Sequence, residues 1–171
     1  MIAGNTKSIH TRKTRILYII SILVIGALLL VLFLRSSNQE IYIKKYDNYE
    51  AILVVGGIRI PITIANTDAE KQLGLSGTAS LPINQGKLFV FNSPSKPGFW
   101  MKDMNYGLDL IWLDENLRIV DITKDIYPES YPKVFYPKEN VLYVLEVNAG
   151  FSKKHNLVEN QLMYFSDNLS F

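Results

Sequence analysis

The sequence contains no cysteine and only two histidines among its 171 residues. The absence of cysteine excludes a disulfide framework, thiolate catalysis, a thiolate zinc site and a lipid-modified lipoprotein cysteine. His10 precedes a long apolar run and His155 stands alone near the C-terminus, and no calcium-loop spacing is present. We therefore expect no metal site and no cofactor, and the residue types alone name no reaction.

Acidic residues are absent from the first 39 positions, where basic residues flank the apolar run. After Arg35 the chain has 13 basic and 16 acidic residues, a net charge of −3. Neutralisation of phosphates by basic side chains supplies most nucleic-acid affinity. We therefore predict no nucleic-acid partner for this mildly acidic domain.

Residues 16–34, ILYIISILVIGALLLVLFL, carry no charge. As a helix this run spans about 28 Å, close to the hydrocarbon core of a bilayer. A buried helix would normally have a polar face, and a cleaved signal peptide a shorter apolar region with a small-x-small site. We predict a cytoplasmic tail at 1–15, an uncleaved single-pass anchor in the cell membrane at 16–34, a linker at 35–48 and an extracytoplasmic domain at 49–171, oriented by the positive-inside rule.

Segments with the alternation and β-branching of strands dominate the predicted domain. Gly56 and Gly57 separate two such runs, which predicts a tight hairpin, and Pro61 indicates that the second run is at a sheet edge at that residue. Thr67 and Glu70 have capping-box spacing at the start of a short helix. Further strands are predicted at 87–91, 99–103, 108–113, 117–123, 141–147 and 161–165. We expect a mainly β, β-rich α+β domain, a compact antiparallel barrel or sandwich of about eight strands and two short helices.

The segment from 127 to 137 combines three prolines with several aromatic residues, a composition that breaks regular structure. It is the best candidate in the sequence for a mobile loop over the domain. Long irregular loops often carry function.

Five short sequence motifs follow one another in the order GLSG, GKLFVF, FWMKDM, LDLIWLDENLRIV and YVLEVNAG. In this order they resemble the uncharacterised bacterial and archaeal family known as domain of unknown function one-nine-two, over about residues 64–165. The resemblance implies a small β-rich domain, often exported or membrane-anchored, and no activity that can be carried over. The chain departs from the family pattern at Thr78, where an arginine is usual, at Lys87 in place of a methionine, and at Gly107 in place of a proline. If that arginine binds an anion in relatives, anion binding in this chain is weakened or is carried out by another residue.

Lys102 lies inside the apolar segment GFWMKDM, residues 98–104. On a strand, Lys102 would share a face with Trp100, and both faces are largely apolar, so a charged residue there would lose water. Two alternatives stay open. Lys102 forms an internal ion pair with Asp109 or Glu146, or it faces a ligand together with a carboxylate in an aromatic cleft.

A second short helix is predicted just after Asn148, which is expected either to cap that helix or to contact a ligand. The candidate ligand-binding residues are Trp100, Lys102, Asp109, Trp112, Glu146 and Asn148. Together with the predicted anchor they favour a binding module for a small ligand, an envelope polymer or a protein partner. The alternatives are a hydrolase or lyase that uses a lysine–carboxylate pair, and a structural subunit of a membrane complex.

Overall fold

The computed structural model describes residues 17–34 and 50–166, which belong to two separate compact units. The predicted tail at 1–15 and linker at 35–48 lie outside the described residues. In the first unit, helix α1 (Leu17–Leu34) is long and apolar enough to cross a bilayer. The predicted apolar helix is therefore present, with properties that a membrane anchor and a signal sequence share.

The second unit is a single seven-stranded sheet that curls into a half-barrel. Its strand order is β5-β4-β6-β3-β2-β1-β7, and among its strand pairs only β2 and β3 run parallel in the described chain. The predicted mainly β fold is confirmed, with the sheet half closed rather than a full barrel. The strands are β1 (Ala51–Val55), β2 (Ile58–Ala65), β3 (Gly86–Ser95), β4 (Leu108–Leu113), β5 (Ile119–Ile126), β6 (Val141–Asn148) and β7 (Tyr164–Phe165).

The predicted hairpin joins β1 to β2, with Gly56 and Gly57 at φ values of 54° and 80°. Only glycine adopts such angles at two successive positions without steric cost, which explains the turn. β2 is internal to the sheet as a whole, but β3 pairs with it only from Ile62 onward. At Pro61, β2 is paired with β1 alone, as the expectation of an edge at this residue requires, and the missing amide hydrogen removes no hydrogen bond to β3.

Two short helices and one helical turn complete the second unit. They are α2 (Asp68–Leu73), a 3₁₀ turn (Pro128–Ser130) and α3 (Phe151–Lys154). The predicted capping box at α2 is confirmed, because the Thr67 side chain accepts the Glu70 amide and the Glu70 side chain accepts the Thr67 amide. These bonds fix where α2 begins and so position the chain that follows it.

β6 lies in the middle of the sheet, between β4 and β3, and apolar clusters cover both of its faces. Leu145 and Val147 point into the first cluster, with the apolar residues of β1 and β2. Val144 points into the second cluster, which also contains Phe89 and Trp112 from the neighbouring strands. Because side chains alternate along a strand, Glu146 lies on the Val144 side.

The predicted strand at 99–103 is wrong, because this segment forms a turn that packs on the second cluster. Met101 is buried at 2% exposure, whereas Lys102 and Asp103 are exposed. The Ser76 hydroxyl donates to the Lys102 carbonyl at 2.9 Å, and the Gly77 amide donates to the Asp103 carbonyl at 2.8 Å. These bonds to the chain after α2 replace the strand ladder that local alternation predicts.

Candidate functional site

A cavity of about 300 Å³ opens between the end of α2, strand β3 and the loop that follows β3. We call it the Glu146 cleft. Its volume is at the lower end of the range for small-molecule sites. Its lining is Lys71, Gln72, Leu73, Gly74, Leu75, Ser76, Phe89, Phe91, Pro97, Gly98, Phe99, Trp100, Met104 and Glu146.

Glu146 is the only carboxylate among the residues that line this cleft. Its side chain is 7% exposed, and its Oε2 atom is buried without a hydrogen-bond partner among the described residues. Burial raises the pKa of Glu146 from 4.5 to about 8, and the nearby charge of Lys87 only partly offsets this rise. At neutral pH the group is therefore mostly a neutral carboxylic acid that can donate or accept a hydrogen bond.

The cations around Glu146 form no ion pair with it among the described residues. Lys87 lies opposite Glu146 on β3, yet no lysine or arginine of the described residues forms an ion pair with Glu146 within 4.0 Å. The Lys71 ammonium lies 3.5 Å from an Asp68 oxygen and donates to the Val90 carbonyl at 3.3 Å. Lys71 is therefore already engaged by groups outside the cleft lining.

Aromatic rings form much of the cleft wall, and they are held in place by contacts beneath it. The rings of Phe89 and Phe99 meet edge to face, with centroids 4.9 Å apart. Phe99 also meets Trp112 edge to face, at 5.5 Å. Trp100 is 47% exposed and Leu73 is 63% exposed, so apolar surface continues from the cleft to the solvent. Such a wall favours a ligand with an apolar body.

The proline-rich segment 127–137 supports the cleft wall from behind. Phe135 and Phe99 exchange two backbone hydrogen bonds, of 2.9 and 2.8 Å. A Cβ atom at Gly98 would lie 2.7 Å from a Val134 methyl group and 2.9 Å from the Tyr136 ring. The lack of a side chain at Gly98 therefore permits close approach of the two segments. A functional role of the loop itself stays a prediction.

Lys102 is placed away from this cleft. Its side chain is exposed, does not line the cavity and forms no ion pair with any described residue. The hypothesis of an internal ion pair between Lys102 and Asp109 or Glu146 is therefore wrong. The physical reason is the turn at 101–103, which buries Met101 and leaves the lysine in water.

Asp109 and Trp112 lie on β4 but do not line the Glu146 cleft. Asp109 is fully buried and accepts three backbone amides, from Asp125 at 2.8 Å, Gly150 at 3.2 Å and Ser152 at 2.8 Å. The Trp112 indole is also fully buried and donates to the Thr123 hydroxyl at 2.9 Å. Both side chains have their polar groups satisfied inside the protein.

Asn148 does not cap α3, because Gly150 occupies the N-cap position. The Asn148 amide instead donates to the carbonyls of Leu81 and Pro82, at 2.9 and 3.3 Å. It borders a different, smaller cavity of about 220 Å³. Of the six residues predicted from the sequence, the Glu146 cleft brings together Trp100 and Glu146.

Sequence reasoning missed the contributions of Lys71 and Phe91 to the cleft. One signal was available, because Phe89 and Phe91 alternate in the word GKLFVF and must share a face of β3. The side of the cleft formed by α2 had no such signal, since it depends on how the helix packs on the sheet. Within residues 17–34 and 50–166, no three histidine, aspartate or glutamate side chains cluster closely enough to hold a metal ion.

Two of the three departures from the family pattern lie around Glu146. Lys87 is its neighbour on β3. The Thr78 hydroxyl is 2.7 Å from the Tyr106 hydroxyl. Burial raises the pKa of Tyr106, the Thr78 hydrogen bond opposes that rise and the charge of Glu146 adds to it. The electrostatic surroundings of Glu146 therefore include Lys87 directly and Thr78 through Tyr106.

Comparison with known proteins gives both a family and a fold. The model of DUF192, described as Uncharacterized ACR, matches residues 51–165. A crystal structure from Sinorhizobium meliloti 1021, described as a candidate transcription regulator, has a TM-score of 0.63 and 23% identity, covering 68% of this chain and 92% of its own. A protein of unknown function from Novosphingobium aromaticivorans has a TM-score of 0.62 and 24% identity. The match covers 67% of this chain and 83% of that protein. No curated protein matches the chain. At these identities the solved structures establish the shared fold alone.

Proposed function

This chain belongs to the DUF192 family, and since that family is uncharacterised, we propose a function from the geometry of the chain itself. The protein is a membrane-anchored, extracytoplasmic binding module that takes a small ligand into the Glu146 cleft. The observation that carries this proposal is a buried carboxyl group without a partner at an aromatic-walled cavity. Protein interiors rarely leave such a group unsatisfied unless it has a role in binding or catalysis.

The cleft fits a binding module better than the two alternatives. Lys102 is exposed and does not line the cleft, so a hydrolase or lyase built on a Lys102–carboxylate pair has no support. A purely structural role would leave the buried Oε2 atom of Glu146 without a physical reason. An envelope polymer or a protein partner would engage the cleft through one small group, since about 300 Å³ admits little more.

The location rests on helix α1 and on the basic residues that precede it in the sequence. By the positive-inside rule they hold the N-terminus in the cytoplasm and place the sheet on the other side of the membrane. We expect a C-terminal alkaline phosphatase fusion to be active and to stay with the membrane fraction after a carbonate wash. An inactive fusion would contradict the orientation, and release into the soluble fraction would indicate a cleaved signal sequence.

Ligand binding in the cleft can be read from the two tryptophans of the chain. We expect small aromatic compounds to shift the ¹⁹F resonance of 5-fluorotryptophan at Trp100, which is half exposed at the cleft, more than that at buried Trp112. Trp100→Phe assigns the two signals. The experiment uses the full chain in lipid nanodiscs, and affinities near 1 mM, about −4 kcal/mol, are enough to see.

Two variants locate the binding. Phe91→Ala removes a ring of the cleft and should weaken binding at least about fivefold, the cost of one aromatic contact. Lys102→Ala changes an exposed side chain outside the cleft and should leave the affinity within about twofold. Equal losses in both variants, or no response at Trp100 to any compound of a fragment library, would overturn the proposed function.

A further inference from the structure

We propose that the ligand of the Glu146 cleft is a protonated organic amine, whose ammonium group pairs with the Glu146 carboxylate while its apolar body packs against the aromatic wall. This inference rests on the proposed function and names its ligand class. Nothing in the family description or in the related structures assigns a ligand to this position.

The first step is the missing partner of Glu146. Its Oε2 atom is buried and unbonded, and no described lysine or arginine completes an ion pair with it. The backbone neighbour on its other side is Leu110 of β4, which is apolar and buried. A ligand ammonium would supply both the hydrogen-bond donor and the positive charge that the protein withholds.

The second step is the aromatic wall. Phe89, Phe91, Phe99 and Trp100 all line the same cavity as Glu146. Aromatic rings attract cations through the negative potential of their faces and bury the apolar part of a ligand. The Lys71 ammonium already lies 5.4 Å from the centroid of the Phe91 ring. Because that ammonium would repel a ligand ammonium beside Phe91, the ligand's charge belongs at Glu146 and its apolar body at Phe89, Phe99 and Trp100.

The third step considers every other charged or titratable group that faces Glu146. These are Lys71 from α2, Lys87 from β3 and Tyr106 from the loop before β4. Lys71 is engaged by Asp68 and the Val90 carbonyl, and Tyr106 by Thr78. Lys87 forms no ion pair with Glu146 within 4.0 Å and does not line the cleft. An anionic ligand would therefore meet a buried carboxyl and no cation of the cleft wall that is free to pair with it, so anions should bind more weakly than amines.

Binding of an amine is then coupled to release of a proton from Glu146. With a pKa of about 8, Glu146 is mostly protonated at neutral pH, whereas the ion pair requires the carboxylate. Amine binding near pH 7 should therefore release about 0.9 proton, and affinity should rise about tenfold per pH unit up to the pKa of the free site. A neutral ligand would release none.

The test is isothermal titration of the full chain in lipid nanodiscs with benzylamine and with benzyl alcohol, which have similar shape and differ in charge. We expect benzylamine to bind at least about tenfold more tightly. Glu146→Gln should remove most of that difference, whereas Lys102→Ala, outside the cleft, should leave it within about twofold. Titrations in buffers of different ionisation enthalpy measure proton release in the unmodified chain, so this readout is independent of the variant.

The outcomes separate this inference from the proposed function. If benzyl alcohol binds as tightly as benzylamine, if Glu146→Gln keeps the preference for the amine, or if no proton is released, the amine proposal is overturned and cleft binding stands. If fragments bind the cleft but benzylamine does not, the amine proposal is likewise overturned. If no compound binds and Trp100 does not respond, the proposed function fails as well.

Discussion

Replacing Glu146 by glutamine should stabilise the sheet domain at pH 8, by about 2–4 kcal/mol. The pKa of this carboxyl is about 8 in the folded protein and 4.5 as the ordinary value. Between these two values the unfolded chain has lost the proton and the folded protein keeps it, so the stability of the natural protein falls by about 1.4 kcal/mol per pH unit. Glutamine does not titrate and removes this loss. Urea unfolding followed by tryptophan fluorescence, from pH 4.5 to pH 8, measures the free energy of unfolding of the natural protein and of Glu146→Gln.

The pH profile distinguishes this cause from a general gain in packing. The advantage of Glu146→Gln should be small at pH 4.5, where the folded protein is protonated and the unfolded chain half protonated, and should grow with pH above that. Glu115→Gln, at an exposed position in the turn between β4 and β5, should follow the natural protein at every pH. Parallel profiles for the natural protein and Glu146→Gln would contradict an elevated pKa at this site.

Replacing Asp109 by asparagine should have the opposite effect, a loss of about 3 kcal/mol. Asp109 accepts amides from Asp125, Gly150 and Ser152 with its two oxygens, inside a fully buried site. An asparagine would turn an NH₂ group toward at least one of these donors, so a buried amide would lose its acceptor. The same urea unfolding experiment measures the change.

The matched control is Asp68→Asn, at a fully exposed position with a weak ion pair to Lys71. Its effect on the free energy of unfolding should stay within about 0.5 kcal/mol. A similarly small change for Asp109→Asn would contradict the view that Asp109 joins the α3 region to β5.

Asp109 and Glu146 lie on adjacent strands, and they differ in whether the protein satisfies their carboxyl groups. Asp109 is opposite Val147 and Glu146 is opposite Leu110, so the two side chains are on opposite faces of the sheet. One is satisfied by three amides, and the other keeps a buried oxygen without a partner. A group kept at a cost to stability commonly belongs to a binding or catalytic site.

Local sequence signals were sufficient for much of the fold. The hairpin at Gly56–Gly57, the capping box at Thr67 and the central position of β6 follow from turn chemistry, side-chain hydrogen bonds and a continuous apolar run. Each depends on residues that are neighbours in the chain. The half-closed shape and the parallel pairing of β2 with β3 have no such local cause, because they depend on how distant strands meet.

The candidate site was predicted only in part for the same reason. The segment 98–104 alternates like a strand, but its conformation is set by bonds to Ser76, Gly77 and Phe135, which are distant in sequence. Lys102 was therefore assigned to a cleft that it does not line. The alternation of β6 predicts that Glu146 shares a face with Val144, as observed, whereas its lack of a partner depends on where every nearby cation points.

The pairing of β1 with β7 has a consequence for the synthesis of this chain. Leu53 pairs with Phe165 and Val54 with Tyr164, so one of the first strands to emerge is completed by nearly the last described residues. During synthesis, the outer edge of β1 stays open until Tyr164 and Phe165 have emerged. An interrupted chain that lacks Tyr164 and Phe165 would present that edge to other unfinished chains, which is how strand edges begin to aggregate.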